Sequence, residues 1–161
     1  MSSESSTTGG PGRPGPVRQL RVVVQATDFD AAVAFYRDSL GLEEQAAFNG
    51  EGDARVVILN AGQATLEIAN PAQVEMIDQV EVGRQVSPHV RLAFEVDDTD
   101  LRTRELKTAG ATELAPPTET PWHSLNSRLE GPAGLQLTLF QELESLDERA
   151  GGPGFGRQES S

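Results

Sequence analysis

The sequence predicts an α+β fold built from two tandem β-α-β-β-β modules, and three observations carry that prediction. The stretch Val22–Asp28 with the Phe29–Leu42 segment behind it has a degenerate second copy running from Leu92 to Ala111. In both copies an apolar strand runs into an acidic residue, and the amphipathic helix that follows stops at a glycine, Gly41 or Gly110. Turn residues then cut the rest of each half into short runs of strand length. A repeat of this kind decides architecture before single residues do, because each copy is one supersecondary unit.

Residues 1–16 and 144–161 are rich in Ser, Gly, Pro and Glu and lack hydrophobic periodicity, so neither can offset the entropy of ordering. Both are expected to be disordered tails around one domain over 17–143. Within it, module one is expected over 17–70, a linker with a short helix over 71–86, and module two over 87–143. Leu20–Ala26 and Val90–Val96 read as the opening strands, each leading to a helix with an Asp pair at its start, Asp28/Asp30 and Asp97/Asp98. The helix faces expected against the sheets are Ala31, Ala34/Phe35 and Ser39 in the first copy, and Leu101, Glu105/Leu106 and Ala109 in the second. Three further strands follow each helix. Glu43–Asn49, Arg55–Asn60 and Ala64–Ala69 are separated by Gly50-Glu51-Gly52 and Ala61-Gly62. Ala111–Ala115, Trp122–Leu129 and Leu135–Gln141 are broken by Pro116-Pro117 and Gly131-Pro132-Ala133-Gly134. Asn70-Pro71 reads as an N-cap with proline at the first helical position, and Val74, Ile77 and Val80 supply the apolar stripe of the linker helix.

The chain has 161 residues, enough to bury a core without staples, and no cysteine, which removes disulfides, zinc ribbons and thiol nucleophiles together. No apolar run approaches the roughly 18 residues needed to cross a bilayer, and the N-terminus lacks an apolar signal segment. A soluble cytoplasmic protein is expected. A formal net charge of -12 with a single lysine, Lys107, argues against nucleic acid or anionic membranes as partners. Any anion must be held by individually placed arginines.

Taken together, Thr27-Asp28, the run Ala32 to Leu42 with its Phe35-Tyr36…Leu40-Gly41, Thr65-Leu66-Glu67-Ile68, Leu92 to Asp98, Ala109-Gly110-Ala111 and Gly131 to Leu137 resemble the vicinal-oxygen-chelate superfamily. That superfamily contains glyoxalases, bleomycin-resistance proteins, extradiol dioxygenases and fosfomycin-resistance enzymes. The resemblance spans Val17 to Leu143. It implies that the mixed sheets curve to enclose a cavity for ligand or metal, and that chains associate as homodimers.

Strand residues alternate faces, so one face of each sheet packs on its helix while the other is free to line a cavity. Val22, Val24, Leu66, Ile68, Leu92, Phe94, Val96, Leu135, Leu137 and Leu139 sort to the helix side. The alternates are polar: Arg21, Gln25, Thr65 and Glu67 in module one, His89, Arg91, Glu95, Gln136 and Thr138 in module two. A sheet with one solvated face shows the same alternation.

The resemblance places metal ligands at four positions, on the first and last strands of each module. Here these are Arg21, Arg91, Glu67 and Thr138. Guanidinium offers no lone pair and stays charged, so two of the four positions repel a divalent cation and no metal cofactor is expected. A displaced site built on His89 and Glu67, with Glu95 nearby, is the alternative. It would make the protein a lactoylglutathione-lyase-like or dioxygenase-like enzyme.

Arg21 and Arg91 hold equivalent places in the two modules and are expected to converge, where their planar donors suit carboxylate or phosphate. Trp122, Asn126 and Arg128 share one strand face in this reading and add a ring surface and donors. Equally, Glu67 and Glu95 can neutralise Arg21 and Arg91 internally. No Gly-x-Ser-x-Gly elbow and no Ser-His-Asp set is present, and the glycine-rich pieces lie in the tails, so catalytic residues remain unassigned. The expectation is a metal-independent protein binding an anionic or aromatic small molecule through Arg21, Gln25, Glu67, His89, Arg91, Glu95, Trp122, Asn126, Arg128 and Thr138. Ligand identity is not legible.

Overall fold

The computed structural model describes residues 18–144; the two tails expected to be disordered lie, except for Glu144, outside the described residues. Helix α1 spans Phe29–Val33 and widens into a π-helical stretch, Ala34–Ser39. The hairpin β1 (Glu43–Asn49) and β2 (Arg55–Asn60) follows, then helix α2 (Pro71–Glu81). The second half contains β3 (Leu92–Glu95), α3 (Thr99–Thr108), β4 (Thr112–Glu119), β5 (Ser124–Gly131) and β6 (Leu135–Glu142). β1 and β2 form a two-stranded antiparallel sheet, and the other four strands form a mixed sheet in the order β3-β6-β5-β4. The α+β class and the complete second module stand as the sequence predicts.

The helix boundaries come from local chemistry. Asp28 Oδ1 accepts from the Ala31 N–H at 3.1 Å, Asp98 Oδ1 from Leu101 at 3.0 Å, and Asn70 Oδ1 from Gln73 at 3.0 Å with Pro71 following. Each side chain satisfies one of the donors a helix start leaves over. Gly41 and Gly110 end their helices at φ +93° and +117°, a region closed to most side chains.

Module one departs from expectation at both ends. Leu20–Ala26 and Ala64–Ala69 form no strand, and Val22, Leu66 and Ile68, expected against a helix, are 54%, 74% and 86% exposed. Alternating apolar residues favour a strand only when a neighbouring strand offers its backbone groups, and neither segment has one. β1 and β2 match their expected spans, β3 is shorter than the expected Val90–Val96, and β4 runs on through Pro116-Pro117 to Glu119. β5 starts two residues later than expected because Trp122 and His123 make the turn, with His123 in the left-handed region at φ +64°.

The core lies between the second sheet and the two flanking helices. Ala32, Phe35, Tyr36, Leu40, Leu106, Ala111, Leu129, Leu137 and Leu139 form one buried cluster, with Leu92, Phe94 and Val96 against it. The buried helix faces differ from those expected. α1 buries Ala32, Phe35 and Tyr36, while α3 buries Thr99, Thr103 and Leu106 and leaves Leu101 exposed. The threonines can be buried because each hydroxyl is bonded, Thr99 Oγ1 to the Leu125 carbonyl at 2.9 Å and Thr103 Oγ1 to Ser127 Oγ at 2.8 Å.

Tyr36 ties the first half to the second. Its hydroxyl donates to the Pro132 carbonyl at 2.9 Å, and burial pushes its pKa up to about 12. A Cβ on Gly131 would stand 2.8 Å from that hydroxyl and 3.1 Å from Leu137 Cδ1. Gly131→Ala should therefore destabilise by about 1–3 kcal/mol through overpacking, measured by urea unfolding; an unchanged midpoint would show that the contact relaxes freely.

Candidate functional site

The polar face of the second sheet lies opposite the leucine core, as strand alternation requires. Asn126 and Arg128 on β5 and Gln136 and Thr138 on β6 point there, all buried, and Arg91 enters just before β3. Arg128 pairs directly across the ladder with Thr138. Helix α2 lies over this face.

Two acids on α2 meet the arginine. Arg128 Nη1 donates to Asp78 Oδ1 at 2.9 Å, to Gln136 Oε1 at 2.8 Å and to Ser87 Oγ at 3.2 Å, while Nη2 donates to Glu81 Oε1 at 2.7 Å. Asn126 Nδ2 donates to the other Glu81 oxygen at 2.6 Å. Asp78 Oδ2 accepts from the N–H groups of Val86 and Ser87, both at 2.9 Å, so the turn after α2 is pinned by the same carboxylate. Asp78 is fully buried, Glu81 is 5% exposed and Arg128 fully buried. Arg91 Nη1 donates to Thr138 Oγ1. Burial, and next the Arg128 charge, draw Arg91 below the usual arginine range; the carboxylates of Glu81, Asp78 and Glu67 act the other way.

At this face Arg128 Nε, Arg91 Nε and Asn126 Oδ1 are buried and make no hydrogen bond to any described residue. The site thus holds more hydrogen-bonding capacity than α2 uses. Buried polar groups are otherwise almost always satisfied.

For Asp78, burial alone would raise the carboxyl; the Ser87 hydroxyl, the Ser87 and Val86 N–H groups and Arg128 outweigh it and hold the group at about 2 against an ordinary 3.8. Since the folded value lies below the unfolded one, this stabilisation is complete above about pH 4 and lost as pH falls towards about 2, roughly 2 kcal/mol in all. Chemical denaturation across that window should show the loss in the native chain and not in Asp78→Asn. Equal slopes in both would remove Asp78 as the group responsible.

The other sequence-predicted residues are spread differently. Arg21, Gln25, Glu67, His89 and Glu95 are exposed, and the Arg21 side chain bonds Gln19 at 3.2 Å. Trp122 sits half-buried in the β4–β5 turn rather than on the β5 face. Arg128 is neutralised by Asp78 and Glu81, and of the two acids expected to neutralise Arg21 and Arg91, Glu67 acts on Arg91 together with that pair. Sequence reasoning missed both acids, although Val74, Asp78 and Glu81 follow at helical i, i+4, i+7 spacing on the stripe expected to face inward.

A separate open hollow of about 440 Å³ lies between α1 and the β1–β2 hairpin, lined among others by Phe29, Val33 and Val57. Its two cations are already engaged, Arg37 with Asp38 and Glu44, and Arg55 with Asp30 and over the Phe29 ring. It offers an incoming anion little.

The donor set does not suit a metal of the kind the resemblance implies. Of the four positions, Arg91 and Thr138 bond each other, Arg21 and Glu67 are exposed on segments outside the sheets, and only Glu67 is a ligating side chain. Among the described residues, no three His, Cys, Asp or Glu side chains gather around one point.

Comparison with solved structures places this arrangement among known folds. A hypothetical protein from S. aureus superposes with TM-score 0.54 at 16% identity, covering 79% of this chain and 95% of that one. A glyoxalase/bleomycin resistance protein/dioxygenase from Nocardioides is similar over 86% of this chain and 91% of its own, at 22% identity and TM-score 0.41. A member of that superfamily from Sphaerobacter thermophilus gives 24% identity and TM-score 0.47 over 74% of this chain and 92% of its own. No curated protein matches the chain. The family model of the Glyoxalase/Bleomycin resistance protein/Dioxygenase superfamily matches residues 18–139, and the chain belongs to that superfamily.

Proposed function

We propose that the protein is a metal-independent small-molecule-binding member of its superfamily, taking an anionic or aromatic ligand on the polar face of the second sheet. The observation that carries this reading is the pair of guanidinium groups, Arg128 and Arg91, set into that face with a buried Nε left over on each. Planar fork donors in a desolvated site are suited to carboxylates, and a charge-assisted bond there is worth about 1.5–3 kcal/mol. The guanidinium groups also offer a divalent metal no lone pair.

The same reading has the chain cytoplasmic and homodimeric. The exposed apolar residues support association: Val22 and Val23 on one segment without a strand partner, and Leu66 and Ile68 on another. No described helix is long and apolar enough to cross a membrane.

Native mass spectrometry of protein taken from its own cytoplasm reads copy number, metal and carried ligand at once. The expected result is a dimer without a transition metal, carrying or accepting a carboxylate. More than about half an equivalent of one metal would overturn the metal-free reading and turn attention to His89 and Glu67. Arg91→Met should weaken a carboxylate found by thermal-shift screening about tenfold, as the loss of one charge-assisted bond requires, and leave neutral analogues unchanged.

A further inference from the structure

We infer that helix α2 is an internal competitor for this anion site, its Asp78 and Glu81 standing where the two carboxylates of a small dicarboxylate ligand bind once the helix moves aside. The inference rests on the reading that the second sheet binds an anion.

Charge balance sets the ligand class. Arg128 and Arg91 bring two positive charges to one buried face, and Asp78 and Glu81 bring two negative ones. A monoanion replacing both acids would leave a cation buried without compensation, which is costly. A compact dianion would not. Of the four acceptors on Arg128, two are carboxylate oxygens, one on each terminal nitrogen, so the site already displays the chemistry it would select.

Helix α2 fills the site incompletely and is held there mainly by its acids. Arg128 Nε, Arg91 Nε and Asn126 Oδ1 stay unpartnered beneath it among the described residues, while the apolar residues Val74, Ile77 and Val80 are only half-buried. Every residue from 60 to 73 is exposed, and Gly83 past the other end sits at φ +87°. The helix therefore follows a lightly anchored segment, while the turn after it is held by Asp78 and by Gln136 through the Val86 carbonyl, so it is free to lift from its N-terminal end. A ligand for a site closed by its own chain binds with an affinity reduced by the fraction that is open.

The test compares the full-length native chain, Glu81→Gln and Asn70→Ala by isothermal titration with succinate, butyrate and inorganic phosphate. Glu81→Gln removes one competing charge. Asn70→Ala removes only the α2 N-cap and leaves every site residue in place, so it keeps the proposal falsifiable should Glu81→Gln fail to fold. Succinate should bind Glu81→Gln at least tenfold more tightly than the native chain, and Asn70→Ala roughly fivefold more tightly, the open fraction rising with the lost cap. Butyrate should bind weakly throughout. Hydrogen exchange of the α2 amides should quicken when succinate is added, which a ligand bound elsewhere would not cause.

Equal succinate affinity in all three proteins, with α2 exchange unchanged, would overturn the competitor role and leave anion binding standing. Tighter phosphate than succinate binding in the variants would overturn the dicarboxylate assignment. If no variant binds any of the three anions, the anion-binding reading falls and this inference with it.

Discussion

Arg128→Met should lower the free energy of unfolding by about 3–5 kcal/mol, the cost of leaving buried charges without their partner. Methionine keeps the stem of the side chain and ends where Nε stands, so the loss combines the missing charge with the space left by the guanidinium head. With the guanidinium gone, Asp78 and Glu81 lie buried with Arg91 as the remaining cation near them, and Gln136 and Ser87 lose a donor. The second change tests the cause. In Arg128→Met/Glu81→Met one charge of each sign has been removed, Arg91 and Asp78 balance, and Asp78 keeps its bonds from Val86 and Ser87. Much of the lost stability should return in urea melts. A single variant within about 1 kcal/mol of the native chain would place this pair among ion pairs of little net worth.

Leu137→Ala should cost about 2–5 kcal/mol, the range for emptying a fully buried leucine site. Leu137 and Leu129 are both fully buried and directly opposite each other on β6 and β5. Because they share one space, the Leu129→Ala/Leu137→Ala double variant should differ from the sum of the singles by at least about 0.5 kcal/mol. Additivity in guanidinium unfolding would mean that the two sites collapse independently.

Much of the frame is legible because its signals are local. Asp28, Asp98 and Asn70 cap helices through contacts three residues away, and Gly41 and Gly110 end helices through their own backbone. β6 announces itself by alternation, and β1 and β2 by the Gly50-Glu51-Gly52 and Ala61-Gly62 turns that bound them. The segments 20–26 and 64–69 alternate as β6 does and form no strand, since pairing depends on a neighbour that alternation cannot guarantee. The candidate site divides in the same way. Face parity places Arg91, Asn126, Arg128 and Thr138 correctly opposite the leucines. What covers them depends on how a linker some 50 residues away folds back, and acids on a short helix read by default as solvated. Only the stripe Val74, Asp78 and Glu81 hinted otherwise.

The bonds that hold α2 span 45 to 50 residues of sequence and require β5, β6 and the turn at Val86–Ser87 all at once. Contacts that close such long loops reward the chain only after the loops are closed. The linker is therefore expected to open with a smaller free energy than the sheet beneath it, which faster hydrogen exchange of the α2 amides than of β5 and β6 would show. Together with the exposed run over 60–73, this predicts that limited proteolysis of the folded domain cuts first in that run, at a rate set by how often α2 lifts rather than by how often the core unfolds.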